Sequence, residues 1–223
     1  MSWVFIDRTA EAAAHAVGST RPQGIRNIAD VDAIILHQTG FTRGSNVTSY
    51  DATNAHFVIL PDGATIKLHE PTTLLHASNG FNRRSVAVEF VGNFPNSRGS
   101  WWRPRGQLTT YARRVTYGHH DLSWEQVSAG RNLVVFVYIM YGVRNVFTHR
   151  QASSPRKGNC AGPHIWYNVG EYSVTQTVWN LTDGGAGYCL ADGEPIPASW
   201  RDPGLEISPP AAAPAAGGPV LTD

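Results

Sequence analysis

Apolar runs separated by polar and Gly/Pro punctuation organise this chain. The run Val31-Asp32-Ala33-Ile34-Ile35-Leu36 ends at His37, and Val143-Arg144-Asn145-Val146-Phe147-Thr148 ends at His149. The runs Ala55 to Leu60 and Ala64 to Leu68 flank Pro61-Asp62-Gly63. An Asp-Gly turn between two strand-like runs predicts a β-hairpin. Ser85 to Val91 reads as another strand, stopped by Gly92 and Asn93. Ser123-Trp124-Glu125-Gln126 has the spacing of a capping box and predicts a helix running to about Tyr141, where Gly142 stops it. Val134, Val135, Val137 and Ile139 are β-branched and favour a strand there, but the cap and the total length favour a helix. Its second half is apolar on every side, which predicts burial. Thr9 to Val17 predicts a short helix, and Pro163 predicts the first residue of another through about Tyr172.

Strands mixed with helices predict an α/β fold: a single domain with a central mixed β-sheet flanked by helices. The expected organisation is a lead-in over 1–30 and a main domain over 31–172, with an irregular insertion at 94–121. An extension over 173–207 follows, then a Pro/Ala-rich tail over 208–223. That tail is too simple in composition to bury a core and is expected to be disordered.

Composition narrows the class. Of 223 residues, 42% are hydrophobic and 16% charged, the balance of a soluble globular chain. A formal net charge of +1 predicts no nucleic-acid partner and no anionic membrane surface. The longest apolar stretch, Leu133 to Tyr141, is far short of the roughly 20 residues of a membrane span, so no membrane insertion is expected. The N-terminus has no basic segment followed by an apolar one, so no Sec-type signal is expected. Cys160 and Cys189 make no disulfide framework. In a reducing compartment they are not expected to pair.

Nine histidines are many for this length and direct attention to metals. A buried strand holds its last side chain rigidly, and the loop beyond it leaves room for a substrate. His37 and His149 stand at such positions, and Cys160 follows in a Pro-, Gly- and Lys-rich loop. Two imidazoles and a thiolate suit a three-ligand Zn2+ site with a fourth position open, the arrangement of a hydrolase. Taken singly, each His is more often structural, and a free Cys is often a small buried hydrophobe.

Four segments, in order, resemble one family, the zinc-dependent N-acetylmuramoyl-L-alanine amidases, which include phage lysozyme-type enzymes, anhydromuropeptide amidases and peptidoglycan recognition proteins. They are Ile35-Leu36-His37-Gln38-Thr39, then Ala55 to Gly63, then Leu75-His76-Ala77-Ser78 with Ser85 to Glu89, and last Thr148-His149-Arg150 with Asn159-Cys160-Ala161-Gly162-Pro163. The resemblance implies that His37, His149 and Cys160 hold zinc. It implies that Glu89 is the general acid/base, as in the anhydromuropeptide amidases, and that the substrate is peptidoglycan or a muropeptide. The chain departs from the family at three places. Ala161 stands where Pro is usual, Gly158 where some members have a catalytic Lys or Thr, and Ala55 where phage-type members carry Tyr. Lys157, one residue earlier, is the candidate oxyanion stabiliser.

His76, Asn79 and Arg83 are candidate substrate contacts, since stem peptides carry carboxylates that Arg recognises bidentately. A solvated pair is the competing reading for Arg83 and Arg84. Trp101 and Trp102 either stack on a sugar or cap the core. Two other functions compete with the amidase. One is a non-catalytic peptidoglycan-binding protein, which typically lacks the Cys ligand that Cys160 would supply. The other is a zinc peptidase cutting elsewhere in the stem peptide. A protein made in the cytoplasm would act there on muropeptides, or reach the wall through a holin or a dedicated secretion system.

Overall fold

A computed structural model describes residues 3–16, 18, 22–95, 120–153, 157–176 and 178–211. Most of the 94–121 insertion lies outside these residues, as do Trp101 and Trp102 and the tail beyond 211.

The architecture is α/β with a mixed central sheet. The strands, in chain order, are β1 (Phe5–Asp7), β2 (Gly24–Ile25), β3 (Ala33–Gln38), β4 (Phe57–Ile59), β5 (Thr65–Lys67), β6 (Thr73–Leu74), β7 (Ser85–Phe90) and β8 (Asn145–Thr148). Six of them form one sheet in the order β1-β5-β4-β7-β3-β8, and β2 pairs with β6 apart from it. β4, β7, β3 and β8 run parallel, while the β4–β5 hairpin is antiparallel. All six residues of β3 are buried, as expected of a parallel strand covered on both faces.

Strand alternation sorts the core into two sides. Ile34, Leu36, Val86, Val88, Phe90, Phe57, Ile59 and Val146 share a cluster with Val127, Leu133, Val134 and Val137 of helix α2 (Trp124–Tyr141) and with Trp166. On the other face, Ile35, Ala33 and Phe147 pack with Phe81. Beside them Val58, Ile66 and Ala87 pack with Tyr50.

Helix α2 starts and stops where its sequence predicts. The Ser123 hydroxyl accepts from the Gln126 amide, and the Gln126 side chain returns to the Ser123 amide. Gly142 ends the helix in a left-handed conformation, φ 72°. Its second half is not buried all round, however. Leu133, Val134 and Val137 face the sheet, but Ile139 is 61% exposed and Met140 59%. One helix face is enough to cover the sheet, and apolar composition alone does not supply a second partner.

The predicted helix at Pro163 runs through 163–175, with Trp166–Glu171 widened into a π-helix. Helix α1 (Thr9–His15) is shorter than predicted by sequence. Part of the N-terminal stretch joins the sheet, since β1 pairs with β5 and Arg8 grips the buried Asp51 carboxylate through two 2.6 Å hydrogen bonds. Both cysteines are free, Cys160 being buried. No helix among the described residues is long and apolar enough to cross a membrane.

Candidate metal centre

β3 and β7 run parallel with His37 opposite Glu89, so the two side chains leave the same face of the sheet. His149 opens the short helix α3 (His149–Ala152) directly after β8, one residue past the strand end. Cys160 comes from the turn just ahead of Pro163. Across 123 residues of sequence its sulfur comes to 3.8 Å from His37 Nδ1. His37 Nδ1 and His149 Nδ1 are 2.9 Å apart. One donor atom from each of His37, His149 and Cys160 lies within 4.8 Å of the others, and all three residues are buried.

The surroundings set the charge state of each group. Burial, aided by His149 and the charge of Lys157, holds the His37 imidazole well below its usual pKa. Burial and then Lys157 bring His149 down to about 3. Both rings are therefore neutral, the form that binds a metal. Burial pushes the Cys160 thiol up to about 12, and the nearby Glu89 charge adds to the effect. The Glu89 carboxyl, 18% exposed with Oε1 4.0 Å from His37 Nδ1, is raised by burial to about 7, against the pull of Lys157.

Beside the cluster Glu89 Oε2 is buried with no hydrogen-bond partner; His149 Nε2 also lacks one, but it is the ring nitrogen other than the Nδ1 that faces the cluster. Orphaned polar atoms are costly in a folded core and commonly mark a site that takes a ligand. A cation between the two Nδ1 atoms and the sulfur would suit their donor chemistry, since nitrogen and thiolate ligands are those Zn2+ prefers. Its positive charge would also favour the thiolate that burial alone disfavours.

The supporting residues fix this geometry. His37 Nε2 lies 3.1 Å from the buried Ser78 hydroxyl. With Nδ1 bound to a cation, Nε2 would keep its proton and donate a hydrogen bond to the Ser78 oxygen. Gln38, on the opposite side of β3 from His37, donates from Nε2 to the Asn159 and Ala161 carbonyls, each at 3.0 Å. Those two carbonyls bracket Cys160. Gln38 also accepts from the Phe94 amide at 2.8 Å.

The other sequence candidates separate. His76, Asn79 and Arg83 are exposed on the segment leading into β7. Arg84 remains partly solvated, and its guanidinium pairs with both oxygens of the partly exposed Asp32 carboxylate. Lys157 is exposed, and its amide donates to the Ser153 carbonyl at 2.9 Å. His56 is a buried strut: Nδ1 accepts from the Ala87 amide at 3.0 Å and Nε2 donates to the Thr73 carbonyl at 2.9 Å. Sequence reasoning gave Ser78 and Gln38 no role of their own. The available signal was their position, a polar residue beside each candidate segment where the apolar pattern would otherwise continue.

The family model described as N-acetylmuramoyl-L-alanine amidase matches residues 27–163. Among solved structures, an endolysin from a Thermus scotoductus bacteriophage is 15% identical, with TM-score 0.49 over 75% of this chain and 97% of that one. The amidase LysC of Clostridium intestinale is 14% identical, with TM-score 0.47 over 71% and 88%. Drosophila peptidoglycan recognition protein LB is 14% identical, with TM-score 0.48 over 82% and 98%. A search of curated proteins found no match. The family match takes in both histidines, Glu89 and Cys160, and spans more than half of the sequence: this chain belongs to the N-acetylmuramoyl-L-alanine amidase family.

Proposed function

We propose that the protein is a zinc-dependent hydrolase that cuts the amide bond between N-acetylmuramic acid and L-alanine in peptidoglycan or muropeptides. The observation that carries this reading is the convergence of His37, His149 and Cys160 beside Glu89 in a member of the amidase family. His37, His149 and Cys160 hold the metal. Zinc bound there supplies Lewis acidity toward the scissile carbonyl and makes water acidic enough to attack at neutral pH.

Glu89 handles the proton. Its unpartnered Oε2 takes a proton from the attacking water as the new C–O bond forms. The same oxygen then returns that proton to the alanine nitrogen as the C–N bond breaks. Burial raises this carboxyl toward the range in which it can both accept and donate a proton, and a bound cation would pull it back down. Lys157 contributes positive charge toward the developing oxyanion. His76, Asn79 and Arg83, exposed beside the centre's supporting residue Ser78, meet the stem peptide.

The test is digestion of purified sacculi and of soluble muropeptides, read by mass spectrometry. Stem peptides with free L-alanine amino termini, lost on chelation and restored by zinc, are expected. Binding to sacculi without release from either substrate would point instead to a recognition protein. Cleavage within the stem would point to a peptidase.

A further inference from the structure

The family match ends at residue 163, yet a later segment reaches back to the candidate centre. Arg150, next to His149, is the meeting point. Its amide donates to the Cys160 carbonyl at 2.8 Å, and its Nη1 donates to the Gly158 carbonyl at 2.5 Å. One residue thus ties the start of α3, which carries His149, to the loop that carries Cys160. The guanidinium is in turn gripped from the far side. Nε donates to the Pro195 carbonyl at 2.9 Å, and Nη2 pairs with the Glu194 carboxylate. The Glu194 amide returns a hydrogen bond to the Arg150 carbonyl at 3.1 Å.

Adjacent contacts run in the same direction. The Leu190 amide donates to the Gln151 carbonyl at 2.8 Å. Gln151 Nε2 donates to the Asp183 and Tyr188 carbonyls, each at 3.1 Å. Gly193 is pressed so closely onto α3 that a Cβ there would lie 1.9 Å from the Gln151 carbonyl oxygen. The Arg150 side chain is only 17% exposed and lies over the buried Trp200 ring, 5.7 Å from its centroid. It therefore has little rotamer freedom.

We propose that residues 183–195, beyond the amidase-family region, brace the metal centre, with Glu194 and Pro195 acting through Arg150 as a positioning residue for the His149 and Cys160 segments. This rests on the reading that His37, His149 and Cys160 bind a metal. A three-ligand site needs its donors fixed relative to one another before the metal arrives, and outer partners set that geometry. The second histidine and the thiol come from separate segments. Without a clamp the Cys160 segment would move independently of α3, and the metal would leave more readily. The brace adds no new chemistry; it holds the distance between two ligands.

The experiment measures metal release from the full chain to a chromophoric chelator, with cobalt in place of zinc so that the sulfur-to-metal absorption band also reports Cys160 ligation. Glu194→Ala should speed release about 10-fold and weaken the band. Glu194→Gln keeps an oxygen acceptor for Nη2, and should fall between Glu194→Ala and the unaltered protein. Asp202→Ala removes the side-chain cap on the Gly204 amide in the same extension, leaves the Arg150–Glu194 pair untouched, and should leave release unchanged. Release from Glu194→Ala and Glu194→Gln at the unaltered rate, with both folded by circular dichroism, overturns the brace. So does equal acceleration by Asp202→Ala, which would mean general loosening. If the unaltered protein takes up no cobalt or zinc, the metal reading itself fails, and the brace with it.

Discussion

Replacing Gln38 with Leu tests the scaffold of the centre without touching a candidate ligand. Gln38 is 7% exposed and satisfies three backbone groups at once: the Asn159 carbonyl, the Ala161 carbonyl and the Phe94 amide. Leu has similar bulk and no polar atoms. The change would leave two carbonyls and one amide without these partners at a buried site. An unsatisfied buried polar group costs about 1–3 kcal/mol. Taking the low end for each of the three, because the loop can shift toward water, gives a loss of about 3 kcal/mol. Urea unfolding of the chelator-treated protein measures this without any contribution from metal. Zinc affinity, measured by competition on the folded variant, should also fall, because the released carbonyls bracket Cys160. A stability loss under about 0.5 kcal/mol, within the range of an ordinary surface substitution, would show that these hydrogen bonds do not fasten the loop. Unaltered zinc affinity would show that the loop's position does not matter to the metal.

Three further outcomes are expected. Glu89→Gln should retain zinc by elemental analysis but lose about 10²–10⁴-fold in turnover, and near-unaltered turnover would remove Glu89 from the mechanism. His56 has a folded pKa of about 3 against an ordinary 6.5, because burial and then the nearby Arg26 charge outweigh its hydrogen bond to Thr73. Between those values the unfolded chain binds a proton there that the folded chain refuses, so stability is full above pH 6.5 and falls as pH drops toward 3, by at most about 1.4 kcal/mol per unit from this residue. His56→Gln should flatten that slope in urea titrations of metal-free protein from pH 4 to 7, and an unchanged slope would refute the assignment. Ser123→Ala removes both the cap of α2 and the hydroxyl's 2.8 Å hydrogen bond to the Pro61 carbonyl, and should cost about 1–2 kcal/mol by thermal unfolding.

Local signals carried most of the fold. The Ser123–Gln126 spacing and Gly142 gave both ends of α2, and Pro61-Asp62-Gly63 gave the hairpin between β4 and β5. The apolar runs gave β3, β7 and β8 because a parallel strand covered on both faces tolerates few polar residues. Burial of α2 was less legible, since Ile139 and Met140 are as apolar as Val137 but point away from the sheet. The convergence of His37, His149 and Cys160 was legible only through the ordered motifs and the strand-end positions. What holds them was not. The Arg150–Glu194 pair spans 44 residues and the Gln38–Ala161 hydrogen bond spans 123, and neither partner carries a local pattern that marks the other. The same holds for Arg84, a surface Arg that pairs across 52 residues with Asp32 at the entry to β3.

The period of two along β3 explains why scaffold and centre are inseparable here. His37 and Gln38 are neighbours in sequence and point to opposite faces of the sheet. His37 faces Glu89 and the donor cluster, while Gln38 faces the side covered by α2, where Phe94 and Ala161 are buried in the main core. The 159–161 loop passes around the end of the strand between them. It delivers Cys160 to the His37 side and buries Ala161, fully covered, on the Gln38 side. The third donor is therefore placed by a core side chain and two hydrogen bonds on the far face of the sheet. A slip of β3 by one residue would exchange the two faces, turning the imidazole into the main core and the amide toward Glu89. Ala33 and Ile35 pack on the imidazole's face and Ile34 and Leu36 on the amide's, each at 0% exposure, so such a slip would also displace four fitted apolar side chains.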